Sequence, residues 1–454
     1  MSETKKIKRP FSFYMCSLTF SFERAAYYAS KWLIFAYLTA AVVKGGLGIN
    51  KGDAGVMQAY LVAFTYFAPI IGGFIADRFI GARYLIPLGL IIMGIGYSIC
   101  GYSGTYGAVV SMVVLVSIGT GFFKTNLSAL TGRLFNDDEQ KDSAFSTQYS
   151  FINVGSFIGT TAVAYLYVAL ATGEKMGYLS CFKLAGIMCF LGAIWFVIGW
   201  RFLGEVGKRP FKEGEKVEKV KVKHAALEPY EKRRVFSIIL ISLFSVIFWT
   251  FWYLSYLAVY DYSPNYINLD VFGHQVSTAL FDSENALLCI ILGPVLGALW
   301  YKLSKRPQGD MSLYKKLSLG LLLLGLSFLM LVGAEIQRGV GAPETSKASI
   351  LWIVVFGILL SLGEMVFSPL GNSFISKYAP IHIVSVLMAV WTVATFISAQ
   401  SYGFIYKWTL TKNFFYVYIG IAAILVVLAA LLFIFEKPLA KMVELKDGET
   451  LIER

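Results

Sequence analysis

Apolar runs long enough to cross a bilayer recur twelve times along the chain, each closed by a short polar or charged stretch. In order they fall at 11–43, 53–76, 83–102, 107–130, 143–171 and 179–203, then at 234–260, 281–303, 313–334, 349–377, 382–406 and 413–436. The pattern predicts an all-α membrane protein with twelve transmembrane helices. An even number of crossings puts both termini on one side. Lys and Arg gather in the termini and in the loops beginning near residues 77, 131, 204, 304 and 378, while the alternate loops hold few. That bias places both termini in the cytoplasm, and the bacterial inner, or plasma, membrane is the expected location of this multi-pass protein.

The exceptions to the pattern carry the chemistry. Arg24, Lys31 and Lys124 are the basic residues well inside spans, and Glu23 and Glu364 are acids at similar depth. A charge at the bilayer centre costs from about 3 to over 10 kcal/mol, so such residues pair or face a wet cavity. Arg24 and Lys31 fall about 10 Å apart on nearly one helix face, and Tyr27 and Tyr28 follow Glu23 and Arg24 at i+4. The plainer reading is a Glu23–Arg24 pair that only holds helices together. The eighth span opens with Phe281-Asp282-Ser283-Glu284-Asn285. Asp282 and Glu284 there suit an outer gate or a proton site, or a solvated helix start whose dipole favours acids. Pro69, Pro294 and Pro369 are expected to bend their helices.

Composition narrows the class. With 57% of its residues hydrophobic and 15% charged, the chain excludes a soluble protein of 454 residues. The net charge of +12 lies in alternate loops rather than in one patch, so no nucleic-acid partner is expected. Cys16, Cys100, Cys181, Cys189 and Cys289 all lie in apolar spans and read as small core residues. No Cys/His cluster is present, His224, His274 and His382 lie in loops or at helix ends, and no metal or other cofactor is expected. The basic N-terminus precedes a run too long for a cleavable signal. Residues 204–233 read as a charged tether between two six-helix bundles, 1–203 and 234–454. If the halves are repeats, Lys124 and Glu364, each in the fourth helix of its half, lie at comparable depth on opposing walls. A basic wall facing an acidic one suits a small zwitterion.

Two sets of motifs carry a resemblance. Gly72-Gly73-Phe-Ile-Ala-Asp77-Arg78-Phe-Ile-Gly81-Ala-Arg83 resembles the signature loop of the major facilitator superfamily, where Asp77, Arg78 and Arg83 would serve conformational change. Its glycines are expected to permit a tight turn. More closely, Phe22-Glu23-Arg24-Ala-Ala-Tyr27-Tyr28, Gly119-Thr-Gly-Phe-Phe-Lys124-Thr125-Asn126-Leu-Ser128, the stretch Phe145 to Gly155, and Leu362-Gly363-Glu364 through Gly371 with Trp391 resemble the proton-dependent oligopeptide transporter family. The departures are Phe20 and Tyr253, which stand where that family carries glutamates, and Thr125 for a proline.

The resemblance implies proton-coupled uptake of di- or tripeptides or like zwitterions by alternating access, with a proton gradient as driving force. Arg24, Lys31 and Lys124 would take the carboxyl end and Glu364 the amino end, with Tyr28, Tyr66, Asn153, Asn285 and Trp391 around the ligand. Glu23 and Glu364 would carry protons. A monomer in membrane lipid is expected. The rivals are a same-fold facilitator for a drug-like amphiphile, sugar or anion, a scaffold that binds without transport, and a membrane enzyme, for which no catalytic set is visible.

Overall fold

The structure, a computed structural model, describes residues 9–135, 138–211, 227–307, 311–380 and 383–443. Its chain divides into two compact units, Met1–Lys216 and Val217–Arg454.

The N-terminal unit is built from α1 (Phe11–Thr39), α2 (Lys51–Arg78), α3 (Ala82–Ser103), α4 (Tyr106–Gly132), α5 (Asp138–Ala169) and α6 (Tyr178–Ile198). Asn50 and Thr105 accept the orphan amides of Asp53 and Ala108, which fixes where α2 and α4 begin. The helices pack as α3 on α4 and α6, α1 on α5 and α6, and α2 on α4. Their outward faces expose Ile70, Phe74, Ile91, Val114 and Leu191, a surface suited to hydrocarbon rather than water.

The C-terminal unit holds α7 (Pro229–Tyr266), α8 (Leu280–Ser304), α9 (Leu313–Arg338), α10 (Leu351–Phe367), α11 (Leu370–Tyr378), α12 (Val384–Thr409), α13 (Phe414–Ile434) and the short α14 (Glu436–Lys441). Glu228 and Glu231 form a capping box at the start of α7, with Pro229 in its first turn. Two-residue strands decorate the loops: Ile267–Asn268 runs parallel to Ala348–Ser349, and Asp270–Val271 pairs with His274–Gln275.

Among the described residues ten helices are long and apolar enough to cross a membrane. α1 misses that threshold because Glu23, Arg24 and Lys31 interrupt it, and α10 because it is short. With α1 and the α10–α11 pair, the crossings number twelve.

Four local expectations are corrected. The tenth span, expected as one helix over 349–377, is two, broken at Ser368 and Pro369, because proline has no N–H to continue the ladder. Pro69 and Pro294 sit inside α2 and α8, which continue through them. Gly72 and Gly73 lie within α2 rather than in a turn. A Cβ on Gly72 would stand 1.9 Å from the Gly121 carbonyl oxygen, so this glycine lets α2 and α4 touch backbone to backbone. Finally, the start of the expected tether is part of the N-terminal unit: the Arg83 guanidinium donates to the carbonyls of Gly204 (2.6 Å) and Val206 (3.0 Å). Residues 212–226 of that segment lie outside the described residues, as do His224 and His382. α7 begins at Pro229, earlier than the expected 234.

Gly72→Ala is therefore expected to destabilise the N-terminal unit by about 1–3 kcal/mol, the usual cost of forcing atoms into a filled contact. A melting curve of the detergent-purified protein measures it, and Gly73→Ala, where the nearest atom is 3.7 Å away, is the matched control.

At the far end of the C-terminal unit a buried ion pair ties loop to helix. Arg338 donates to Glu335 at 3.0 and 3.2 Å, and the Tyr262 hydroxyl donates to the same carboxylate at 2.6 Å. The remaining guanidinium hydrogens reach the carbonyls of Ala342, Pro343 and Ser346, which closes the loop between α9 and α10.

Candidate functional site

α1 carries the polar cluster of the N-terminal unit. Glu23 is fully buried and Arg24 nearly so, and they meet in a two-pronged pair, Nε to Oε2 and Nη2 to Oε1, both 2.5 Å. The guanidinium also lies over the rings of Tyr27 (4.6 Å) and Tyr28 (5.8 Å). One turn further, the Lys31 ammonium sits 5.9 Å from the Tyr28 ring, and its backbone carbonyl is held by Gln58 of α2 at 2.7 Å. Tyr27 reaches Thr65 of α2 at 3.3 Å. Arg24, Tyr27, Tyr28, Lys31, Tyr66 and Lys124 therefore form one neighbourhood.

The α2–α4 seam sets Lys124. Its ammonium lies 4.5 Å above the Tyr66 ring, and Arg24 and Glu23 are its charged neighbours. Among the described residues no carboxylate pairs with it. Flanking residues lock its helix: Thr125 donates to the Pro69 carbonyl (3.3 Å) and Asn126 to those of Gly72 (3.3 Å) and Phe122 (2.9 Å). A threonine in place of the expected proline thus adds a bond between helices. Phe20, at the position of the missing acid, packs edge-on to Phe123 at 5.2 Å within a buried apolar cluster with Cys16 and Leu127. Asn153 is buried and donates to the Tyr149 carbonyl of its own helix (3.0 Å), two residues before Gly155 meets Ser21 of α1.

The motif over residues 72–83 spans the end of α2 and the start of α3. Arg83 is buried in the clasp described above. Arg78 is exposed and lies over Phe74 at 5.1 Å. Asp77 is half-buried at the end of α2.

In the C-terminal unit α8 presents donors to Glu364 of α10. The Asn285 amide donates to its Oε2 at 2.8 Å and to Ser361 Oγ at 3.0 Å, and the Cys289 thiol stands 3.8 Å from the same Oε2. Glu364 is 9% exposed. Cys289 is thus more than core filling, a role that a lone thiol in an apolar span gave no signal for. Asn285 reaches the carboxylate itself, so it acts as a positioning residue.

The solvated reading of Asp282 fails. It is 3% exposed and accepts the Tyr260 hydroxyl, while Glu284 is half-buried against α10. Tyr253, the other departure, lies buried among Trp249, Trp252 and Tyr402, its ring 5.4 Å from that of Tyr402. Trp391 of α12 covers Gly371, where a Cβ would fall 2.0 Å from the indole.

The comparisons with known proteins agree with this architecture. The Major Facilitator Superfamily model matches residues 22–380. The chain is 28% identical to an uncharacterized transporter YclF of Bacillus subtilis, over 84% of its length and 85% of the relative's. It is 26% identical to a di-/tripeptide transporter of Lactococcus lactis subsp. cremoris, over 92% and 94%. Among solved structures, a peptide transporter POT in complex with alafosfalin aligns with TM-score 0.84 and 25% identity over 97% of both chains. A POT family transporter in complex with 5-aminolevulinic acid aligns with TM-score 0.85 and 23% identity over 96% and 98%.

The chain belongs to the Major Facilitator Superfamily, a class of integral multi-pass membrane transporters. The relatives and neighbours with a named substrate are di-/tripeptide and POT family transporters.

Proposed function

We propose that the protein takes up di- and tripeptides, or zwitterions of that size, with protons, by alternating access. The observation that carries this is Lys124. Arg24 is already neutralised by Glu23, whereas Lys124 lies over the Tyr66 ring and, among the described residues, has no carboxylate paired with it. A cation held in hydrocarbon without a counter-ion is a receptor for an anion that arrives from outside the protein. The substrate carboxylate binds Lys124 with Lys31 and the Tyr28 and Tyr66 rings. The substrate amine binds Glu364, whose Oε2 accepts from Asn285 and lies beside the Cys289 thiol. The relatives' named ligands, di- and tripeptides and 5-aminolevulinic acid, combine an amine and a carboxylate in the same way.

Protons enter through Glu23. A substrate carboxylate competes for Arg24, and Glu23, once released, neutralises its charge by taking a proton. Asn153 and Trp391 complete the ligand surroundings, while Asp77, Arg78 and Arg83 govern the conformational step. Residues 1–203 and 234–454 act as the two moving halves of a monomer in the cytoplasmic membrane, with both termini in the cytoplasm.

Thermal stabilisation of the purified protein by a panel of di- and tripeptides, sugars and drug-like amphiphiles tests the substrate class. A ligand at 100 times its Kd adds about 2.7 kcal/mol to the folded state. Peptides are expected to raise the melting temperature and their N-acetylated, amidated forms to have no effect. Stabilisation by sugars or amphiphiles alone would replace this reading with the same-fold facilitator.

A further inference from the structure

Glu284 and Glu364 both lie on the contact between α8 and α10, about 10 Å apart along α10 by the seven-residue spacing of their contact points. Their surroundings are opposite. Glu364 receives two donors from α8. Glu284 lies across Gly357: a Cβ there would sit 2.5 Å from its Oε2 and 2.9 Å from its Oε1. Gly357 lets the carboxylate lie against the α10 backbone in this position, and among the described residues neither oxygen has a hydrogen-bond or ion-pair partner.

Among the described residues of the C-terminal unit, the groups around Glu284 supply no cation. On α8 the neighbouring Asp282 is taken by Tyr260 of α7. The other titratable groups at this level of α7 are Tyr256 and Asp261, and the latter accepts from Tyr406 of α12 at 2.9 Å. α10 contributes only Glu364, and the basic residues of α7 and α8 lie at their opposite ends, at Lys232 to Arg234 and at Lys302. A half-buried carboxylate that, among the described residues, has neither a paired cation nor a donor carries an uncompensated charge that a proton removes. Two acids in one seam with opposed environments divide the work of acid and ion between them.

We propose that Glu284 is the proton-carrying carboxyl of the C-terminal unit, while Glu364 stays ionised for the substrate amine. The proposal rests on the proton-coupled uptake put forward above. It moves the proton role in this unit from Glu364 to Glu284. In each cycle the carboxyl gains a proton from water on one side and returns it on the other, so no other reactant is consumed.

The test uses full-length protein in liposomes, dialanine as probe, the membrane potential clamped to zero and a pH difference of about one unit. One coupled proton then supports about tenfold accumulation. Glu284→Gln should lower gradient-driven accumulation by about that factor while counterflow exchange of dialanine stays as in the parent protein. Accumulation by Glu284→Gln equal to the parent's would overturn the proposal. A parent protein indifferent to the gradient would instead sink the coupled reading as a whole, and the two failures are distinguishable in one experiment.

A second measurement avoids the variant. A hydrophobic carbodiimide adds only to a protonated carboxyl, the acid's proton passing to the reagent's nitrogen and the oxygen bonding to its carbon. Mass spectrometry should find the adduct on Glu284 of the unmutated protein, falling as pH rises and absent from Glu364. An unlabelled Glu284 overturns the assignment.

Discussion

Lys124→Ala is expected to weaken dipeptide binding by about tenfold to somewhat over a hundredfold, the range set by about 1.5–3 kcal/mol for a hydrogen bond to a charged group. Stability should change little. Lys124 makes no ion pair among the described residues, and its contact is the face of Tyr66. The loss should be confined to ligands with a free carboxylate, so amidated peptides, already weak, should weaken no further. Isothermal titration in detergent measures both. Full peptide affinity in Lys124→Ala would remove the observation on which the transport reading stands.

Glu23 carries the second large effect, and here stability is the readout. Glu23→Ala leaves the Arg24 guanidinium, 6% exposed, without its counter-charge. Removing one member of a buried pair costs about 3–5 kcal/mol, a large fraction of the net stability of a folded domain. Replacing both together, Glu23→Leu with Arg24→Met, should recover most of that loss, since a buried pair is worth little against well-packed apolar side chains. The recovered protein is expected to melt like the parent and to accumulate no dipeptide. Uptake by the double variant would leave the pair only a staple between helices.

Much of the fold was legible because lipid leaves the backbone few choices. A span in hydrocarbon must satisfy its own N–H and C=O groups, so apolar length alone marks a helix. Lys124, Arg24 and Glu364 stood out as candidates for the same reason: a charge in such a run is costly unless it is paired or faces a wet cavity. What stayed hidden depends on partners distant in sequence. Nothing near Asp282 tells that Tyr260, 22 residues earlier, buries it. Arg83 finds carbonyls 121 and 123 residues away, which turns the start of an apparent tether into part of a bundle. Prolines were visible, but their effects were not. α2 and α8 run on through Pro69 and Pro294, while Pro369 ends a helix, because the surrounding helices decide whether a missing bond is tolerated. Cys289 was invisible as a neighbour of Glu364, since the two are 75 residues apart and a thiol in an apolar run normally only fills space.

The interruption after Glu364 bears on how force travels. The Ser368 amide closes the last turn of α10 on the Glu364 carbonyl at 2.7 Å, and the chain restarts as the nine-residue α11 beyond Pro369. If Glu364 receives the substrate amine as proposed, a break at this point would let α11 tilt under Trp391 while α10 keeps Glu364 against α8, so that opening one mouth need not unseat the cargo.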